Sequence, residues 1–324
     1  MTATVEGAPG GAPVLADGRI PLIALPGGAG GDLPADTVRT LVERHGAVLV
    51  RGLGLKVPAD LAAAARALGV TGVPEREGFT SRGDLGGGVY TSSEWPSDEP
   101  MCMHHELSYA AEVPRVALFG CLTAPPSGGA TGVADAEEVL AALPADVVDR
   151  FAREGWLLTR TYREVGISWV ESFGTEDPEE VDAYCAAHGI EREWLPDGSL
   201  RTVQRRAAVI RHPRTGRRLW FNQVAFLNQL TLDPMVREYL TDLYGPDSLP
   251  FDTRYGDGEP IPEPVIQTIN DAYTAATRRE PWQAGDLLVV DNLRAAHSRE
   301  AYEGDRRVVT LFGDPVRLEG HLPS

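Results

Sequence analysis

His104 and Glu106 are separated by one residue in the segment MCMHHEL, and His297 follows the apolar run DLLVVDN near the end of the chain. Imidazole nitrogens and a carboxylate oxygen are ligands that both iron and zinc accept. If MCMHHEL is extended, side chains 104 and 106 point to one face of the strand and His105 points to the other. The spacing therefore predicts a metal site built from His104, Glu106 and His297, with His105 in a structural role.

Three protein ligands on one face of an octahedron leave three positions open, an arrangement typical of non-haem Fe(II) oxygenases. A chelating 2-oxo acid can take two of these positions, and O2 can take the third. A 2-oxo acid with a second carboxylate also needs a fixed cation, which Arg306 or Arg307 on the following predicted strand can supply. Because side chains alternate along a strand, only one of these arginines can face the site.

The same three ligands also allow a different chemistry. A set of two histidines and one glutamate can bind zinc and leave one position for water, so a zinc-dependent hydrolase is the alternative enzyme. A ligand-binding protein without turnover is the alternative outside enzymes. Oxygen consumption that depends on 2-oxoglutarate separates the iron hypothesis from both.

The elements that must position these residues are strands in both halves of the chain. VALFGCLTA, DLLVVDN and RRVVTLFGD are apolar runs typical of buried strands, whereas helical patterns dominate residues 135–200. This order differs from the regular alternation of a doubly wound sheet, and it predicts a mainly β fold, a sandwich or jelly roll, with helical inserts. We expect residues 1–34, rich in Gly, Ala and Pro, to form a flexible N-terminal arm, and residues 35–324 to form a single domain.

Three helix boundaries are marked by local signals. ADTVRTLVERHG has apolar residues at helical spacing and stops at Gly46, and Asp135 is a predicted N-cap for DAEEVLAAL. DPEEVDAYCAAHG combines a predicted N-cap at Asp177, a proline in the first turn and a stop at Gly189.

Composition narrows the classes of partner. The net charge of −17 argues against nucleic acid or an anionic membrane, because both would repel such a surface, and favours a small-molecule substrate. No apolar run is long enough to span a bilayer, and the first residues lack the features of a secretory signal. The three cysteines are far apart and show no CxxC spacing, so a cytoplasmic protein is expected.

Six segments together resemble the taurine-dioxygenase-like (TauD/TfdA) superfamily of Fe(II)/2-oxoglutarate-dependent oxygenases, especially its syringomycin-type and clavaminate-synthase-like amino-acid hydroxylases. The segments lie between residues 45 and 314 and are VLVRGL, VYTSSEWPSDEPMCMHHELSY, GGATGVAD, RHPRTGRRLWFNQ, RYGDGEPI and GDLLVVDNLRAAHSREAYEGDRRVV. The resemblance implies a double-stranded β-helix, which is a jelly roll, with iron at its mouth and residues 135–200 as a helical insert.

The resemblance also implies the roles of particular residues. Iron would be bound by His104, Glu106 and His297, and Thr131 in the GGAT segment would help to hold 2-oxoglutarate. Arg307, in preference to its neighbour Arg306, would bind the distal carboxylate of 2-oxoglutarate.

The implied reaction consumes 2-oxoglutarate and O2, releases succinate and CO2, and hydroxylates an unactivated C–H bond. Glu106 favours this reaction because related halogenases have Ala or Gly at that position. Two departures from the family pattern, His105 in place of the usual Asn and Ser298 in place of the common Gly, remove no ligand. The substrate would be amino-acid-like, either free or tethered to a carrier, and desaturation stays open beside hydroxylation.

Several residues near the motifs are weaker candidates for substrate contact. Glu94, Ser108 and Tyr109 flank the first metal motif, and Asn222 follows the aromatic pair in RRLWFNQV. An aromatic pair in a strand usually packs in the core, so a structural role competes with a role in binding.

The range Arg201–Arg218 contains seven arginines and no acidic residue, in contrast to the acidic chain around it. One interpretation is a solvated hairpin whose charges are balanced by neighbouring acids. The other is an anion-recognition patch for an acidic carrier protein, or for a carboxylate or phosphate on the substrate.

Overall fold

The computed structural model describes most of the chain, namely residues 13–16, 18–25, 32–74, 76–163, 166–245, 249–318 and 320–321. Much of the predicted N-terminal arm lies outside the described residues. Its described part includes a short strand at Leu22–Ala24.

The described residues form helices of moderate length. They are α1 (Ala35–His45), α2 (Pro58–Ala67), α3 (Ala136–Ala142), α4 (Ala145–Glu154), α5 (Trp169–Phe173), α6 (Pro178–Ala187), α7 (Pro234–Tyr244) and α8 (Glu263–Ala276), with a 3-10 turn at Gln229–Thr231. None of the helices in this described part is long and apolar enough to cross a membrane.

The strands are mostly short. They are β1 (Leu22–Ala24), β2 (Ala47–Arg51), β3 (Tyr90–Thr91), β4 (Met101–His104), β5 (Val113–Thr123), β6 (Ser127–Gly128), β7 (Thr131–Asp135), β8 (Trp156–Tyr162), β9 (Ile190–Trp194), β10 (Leu200–Arg206), β11 (Val209–Arg211), β12 (Arg218–Trp220), β13 (Phe251–Tyr255), β14 (Thr277–Arg278), β15 (Leu287–Asp291), β16 (Ala295–Arg299), β17 (Tyr302–Glu303) and β18 (Arg307–Val316).

Two sheets form the jelly roll that the sequence predicts. The larger has the strand order β1-β2-β15-β5-β18-β3, and the smaller has the order β14-β7-β16-β4. Phe119 and Phe312 from the larger sheet pack against Val133 and Ala295 from the smaller one in a single buried cluster. Burial of this apolar surface holds the sheets together and brings β16 and β4 close to β18.

The local signals located three helix boundaries correctly. Helix α1 ends at Gly46, which adopts a left-handed conformation (φ 79°) suited to glycine. Asp135 caps α3 by accepting a hydrogen bond from the Glu137 amide, and Asp177 caps α6 in the same way through the Glu179 amide.

The insert over residues 135–200 is less helical than predicted. It contains α3 to α6, but it also contributes β8, β9 and the start of β10 to a separate sheet with the order β13-β8-β10-β9. Buried and less buried residues alternate along β10, and β9 exposes three charged residues at the sheet edge. Such an edge strand has too few apolar residues to give a clear strand pattern.

Candidate metal centre

Two histidines are brought together by the register of neighbouring strands. His297 of β16 pairs directly with His104, the last residue of β4, and the centroids of their rings are 4.3 Å apart. Residues that oppose each other in an antiparallel pair have neighbouring side chains on one face of the sheet. The pairing therefore places both imidazoles side by side, although they are 193 positions apart in the sequence.

Glu106 reaches the same place through a turn. Strand β4 ends at His104, so the extended conformation expected for the whole motif is wrong beyond that residue. The Glu106 amide donates to Asn292 Oδ1 (2.8 Å), and Asn292 Nδ2 donates back to the Glu106 carbonyl (3.0 Å). Leu107 follows with φ 53°, a conformation that is strained for a leucine and that persists only where its surroundings enforce it.

The three side chains have the geometry of a metal site. Glu106 Oε2 lies 4.0 Å from His104 Nε2 and 3.8 Å from His297 Nε2, and all three residues are buried. One possible ligand atom from each residue lies within 4.8 Å of the others. His104 Nδ1 is 2.8 Å from the Cys102 carbonyl oxygen, which accepts its hydrogen and leaves the Nε2 lone pair for a metal.

Electrostatics sets the protonation states that a metal requires. Burial raises the pKa of Glu106, but Arg82, which donates to both carboxylate oxygens (3.0 and 3.2 Å), and the two histidines hold it well below its usual range. Burial and the neighbouring His297 lower the pKa of His104 to about 3. A neutral imidazole and an ionised carboxylate are the forms that bind metals, so these residues fit an Fe(II) ion.

His105 faces away from this cluster. Its Nδ1 lies 2.6 Å from the Asn292 carbonyl oxygen and its Nε2 lies 3.0 Å from that of Trp220. Burial lowers the pKa of His105 to about 4. These contacts agree with the structural role predicted for it.

A cavity opens beside the three residues, and it corrects one prediction. Its wall includes Thr131 and Arg306, whereas Arg307 is exposed to solvent. Side chains alternate along a strand, so Arg306 shares a face with Val308 and Thr310, which also line the cavity. The preference for Arg307 came from its match to the family pattern, and alternation along the strand places Arg306, not Arg307, on the cavity side.

Arg306 is half-buried and remains charged. Its Nε donates to the Gly129 carbonyl (2.9 Å), and burial together with the nearby charge of Arg299 lowers its pKa to about 10. Within the described part of the chain, no carboxylate forms an ion pair with it. This end of the cavity can therefore take an anion.

The four weaker candidates for substrate contact do not line this cavity. Glu94 is exposed. Ser108 and Tyr109 are buried in the core, where the Tyr109 hydroxyl donates to a backbone carbonyl, because the turn at Leu107 directs the chain inward. Asn222 is also buried and donates to the Ala208 carbonyl (3.0 Å).

The arginine-rich segment does not form one continuous basic surface. Arg206 is buried and donates to backbone carbonyls of the core. Arg214 pairs with Glu43 at 3.4 Å, and Arg217 pairs with Glu137 at 2.6 Å, both at the surface. Two of the seven arginines are therefore paired with acids from other segments.

Sequence reasoning missed Arg82 and Asn292. Arg82 lies in the polar, glycine-rich connection before β3, and nothing in its spacing links it to the metal motif. Asn292 directly follows β15 and lies five positions before His297. A polar side chain so close to a predicted metal ligand is a signal that could have identified it.

The sequence and the fold of this chain are similar to those of several known proteins. The family model described as "Taurine catabolism dioxygenase TauD, TfdA family" matches residues 24–313. The dapdiamide synthesis protein DdaC of Enterobacter agglomerans is 35% identical over 277 residues, which cover 85% of this chain and 84% of that protein. A clavaminate synthase-like protein of Arabidopsis thaliana is 28% identical over 312 residues, covering 90% and 88%.

Solved structures are similar in fold. PvcB of Pseudomonas aeruginosa, described as an Fe, alpha-ketoglutarate dependent oxygenase from an isonitrile synthetic pathway, aligns with a TM-score of 0.58 at 17% identity, covering 100% of this chain and 99% of that chain. A taurine dioxygenase from Burkholderia xenovorans aligns with a TM-score of 0.52 at 18% identity, covering 94% and 90%. At this level of identity the similarity describes the fold.

Proposed function

Because this chain belongs to the TauD, TfdA dioxygenase family, we propose that it is an Fe(II)- and 2-oxoglutarate-dependent dioxygenase whose iron is held by His104, Glu106 and His297. The observation that carries the proposal is the convergence of two imidazoles and one carboxylate, all buried, at the wall of one cavity. When bound there, iron would activate O2 for oxidation of a C–H bond.

The proposed site for 2-oxoglutarate is the end of the cavity formed by Thr131 and Arg306. A half-buried guanidinium can bind a carboxylate through two parallel hydrogen bonds, and the Thr131 hydroxyl can donate a further one. A zinc-dependent hydrolase would use the same metal ligands, but it would have no need of an arginine in the wall of the same cavity. The position of Arg306 therefore supports the oxygenase over the hydrolase.

Other residues would position a metal ligand and limit the access of water to the site. Arg82 would hold the Glu106 carboxylate through both of its oxygens, which keep further lone pairs for the metal. The rings of Phe119 and Phe226 lie 5.0 and 5.1 Å from those of His297 and His104, where they would limit the access of water.

We further propose that the reaction is hydroxylation of an unactivated C–H bond in an amino-acid-like, natural-product intermediate, with release of succinate and CO2. The names of two relatives support this substrate class, since one is a dapdiamide synthesis protein and the other is clavaminate synthase-like. A carrier-tethered form of the substrate is the second candidate. Its support is limited to Arg201–Arg218, where several arginines are already paired.

Anaerobic titration with Fe(II) and 2-oxoglutarate tests the first proposal. We expect a visible charge-transfer band on chelation, followed by O2-dependent formation of succinate when candidate substrates are added. Each of the variants His104→Ala, Glu106→Ala and His297→Ala should lose the band and the turnover while retaining the fold. Hydrolysis that is supported by zinc and independent of 2-oxoglutarate would favour the alternative enzyme.

Isotopically labelled O2 tests the second proposal. A hydroxylase should place one labelled atom in the product and one in succinate. An unlabelled, desaturated product would overturn hydroxylation and leave the metal and 2-oxoglutarate proposals intact.

A further inference from the structure

Arg299 makes an unusual set of contacts for a residue so close to the metal site. It lies two positions after His297 on β16 and is buried. Its guanidinium donates to three backbone carbonyls of one loop, those of Trp95 (3.0 Å), Pro96 and Glu99 (2.7 Å). One side chain therefore fixes most of a loop.

The loop depends on this attachment because it has little hydrogen bonding of its own. Residues 95–99 lie between β3 and β4 and form neither helix nor strand, and the side chains from Pro96 to Glu99 are exposed. A fourth carbonyl, that of Ser97, accepts a hydrogen bond from the Tyr302 amide (2.8 Å). Backbone acceptors that turn inward must be satisfied, and here residues 299 and 302 satisfy them.

The residues that flank the loop form part of the proposed active site. Ser92 and Ser93 before it and Met101 after it line the cavity. The Trp95 ring lies 6.0 Å from the Phe226 ring, which in turn lies 5.1 Å from the ring of His104. Movement of the loop would therefore displace the flanking residues that line the cavity and the aromatic packing beside a proposed metal ligand.

Arg299 faces the cavity from the side of the proposed 2-oxoglutarate site. It lines the cavity with Arg306, and its Nε is buried without a hydrogen-bond partner among the described residues. Two neighbouring guanidinium groups repel each other, and an anion beside them would relieve that repulsion and give the Nε–H an acceptor. The distal carboxylate of 2-oxoglutarate is such an anion.

We propose that Arg299 is a positioning residue that couples the binding of 2-oxoglutarate to the fixing of residues 95–99 against the metal site. The inference rests on the proposed function, because it takes 2-oxoglutarate as the anion. Arg299 acts at one end on the co-substrate and at the other on the loop carbonyls. Binding of the co-substrate thereby orders the wall that contacts the substrate.

Amide hydrogen exchange of the anaerobic Fe(II) protein, with and without 2-oxoglutarate, tests the coupling. In the wild type, 2-oxoglutarate should slow exchange between Trp95 and Met101. In Arg299→Met, exchange there should be about tenfold faster, since hydrogen bonds to a charged donor are lost, and 2-oxoglutarate should no longer slow it. Arg307→Met, which removes an exposed arginine at the start of β18, is the matched control and should behave like the wild type.

Steady-state kinetics gives a second readout. Arg299→Met should raise the KM for 2-oxoglutarate roughly tenfold and lower the ratio of product to succinate, because a loosely held wall no longer positions the substrate. Arg299→Lys keeps the charge but cannot reach three carbonyls. It should recover part of the 2-oxoglutarate affinity without recovering protection of the loop.

The outcomes separate this inference from the proposed function. Unchanged protection of residues 95–101 in both Arg299 variants would overturn the coupling. If Arg299→Met does not fold, the Arg299→Lys protein decides the question by the same measurement. Absence of the charge-transfer band and of any protection at Gly129–Thr131 in the wild type would overturn 2-oxoglutarate binding, and the inference with it.

Discussion

Burial by itself lowers the pKa of His104 and raises the pKa of Glu106. It favours neutral His104, which suits metal binding, but it also favours neutral Glu106, which does not. Arg82 reverses the second effect, since a guanidinium at 3.0 Å in a buried pair stabilises the carboxylate strongly. The arginine therefore completes the site although it binds no metal itself.

Replacement of Arg82 tests this role. Arg82→Gln removes the charge and retains polarity, and it should weaken Fe(II) binding roughly 10- to 100-fold, as expected when a partner of a metal ligand is lost. Anaerobic metal titration measures the effect, with circular dichroism as a check on folding. Unchanged metal affinity would contradict the role given to the Arg82–Glu106 pair.

Arg306 and its neighbour provide a matched pair of substitutions. Arg306→Ala should raise the KM for 2-oxoglutarate by about 30-fold or more, which corresponds to loss of about 2 kcal/mol from a charged hydrogen-bonded contact. Arg307→Ala should leave that KM unchanged within about twofold, because its side chain is exposed. The opposite ranking would return the carboxylate contact to Arg307.

At the scale of secondary-structure elements, the turn after β4 is held by the end of β15. Asn292 donates to the carbonyls of Glu106 and Pro114 and accepts from the Glu106 amide, all within the buried core. It thereby fixes the backbone of a proposed ligand to the strand that precedes His297. This side chain adds a second link between the two halves of the metal motif, beside the pairing of β16 with β4.

Asn292→Ala should therefore affect both stability and metal binding. Loss of its buried hydrogen bonds should reduce the free energy of unfolding by about 2–4 kcal/mol and weaken Fe(II) binding. Asn222→Ala is the control, since Asn222 is equally buried but bonds to Ala208 and Val224. The control should lose stability, measured by denaturant unfolding, but should keep its affinity for Fe(II), measured by metal titration. Equal metal affinity in both variants would exclude a positioning role for Asn292.

Structural features that depend on residues adjacent in the sequence, such as helix ends, are predicted well from the sequence. The cap at Asp135 and the stop at Gly46 follow from local chemistry, and both were correct. The preference for Arg307 over Arg306 came from the match to a family pattern, and the structure places Arg306 in the cavity wall and leaves Arg307 exposed. The contacts of Asn292 with Glu106 span 186 residues, and no local pattern encodes such a distance.

At the scale of the whole molecule, charge is spread unevenly, and two of the arginines in the arginine-rich segment are paired with acids. The chain carries a net charge of −17, yet Arg201–Arg218 contains no acid of its own. Folding supplies acids from distant segments, with Glu43 from α1 beside Arg214 and Glu137 from α3 beside Arg217. Exposed pairs of this kind contribute little to stability and are screened by salt.

The last prediction uses this balance to separate a free substrate from a carrier-tethered one. Charge reversal of Arg214 and Arg217 to Glu should leave the KM of a free amino-acid-like substrate and the turnover of 2-oxoglutarate unchanged within about twofold, since neither residue lines the proposed cavity. Because attraction between opposite charges is screened over about 10 Å at 0.1 M salt, docking of an acidic carrier would instead weaken steeply as salt is added. A salt-dependent KM for carrier-bound substrate that the double reversal abolishes would assign the docking surface to these arginines, and salt-insensitive turnover of the free molecule would leave them as balanced surface charge.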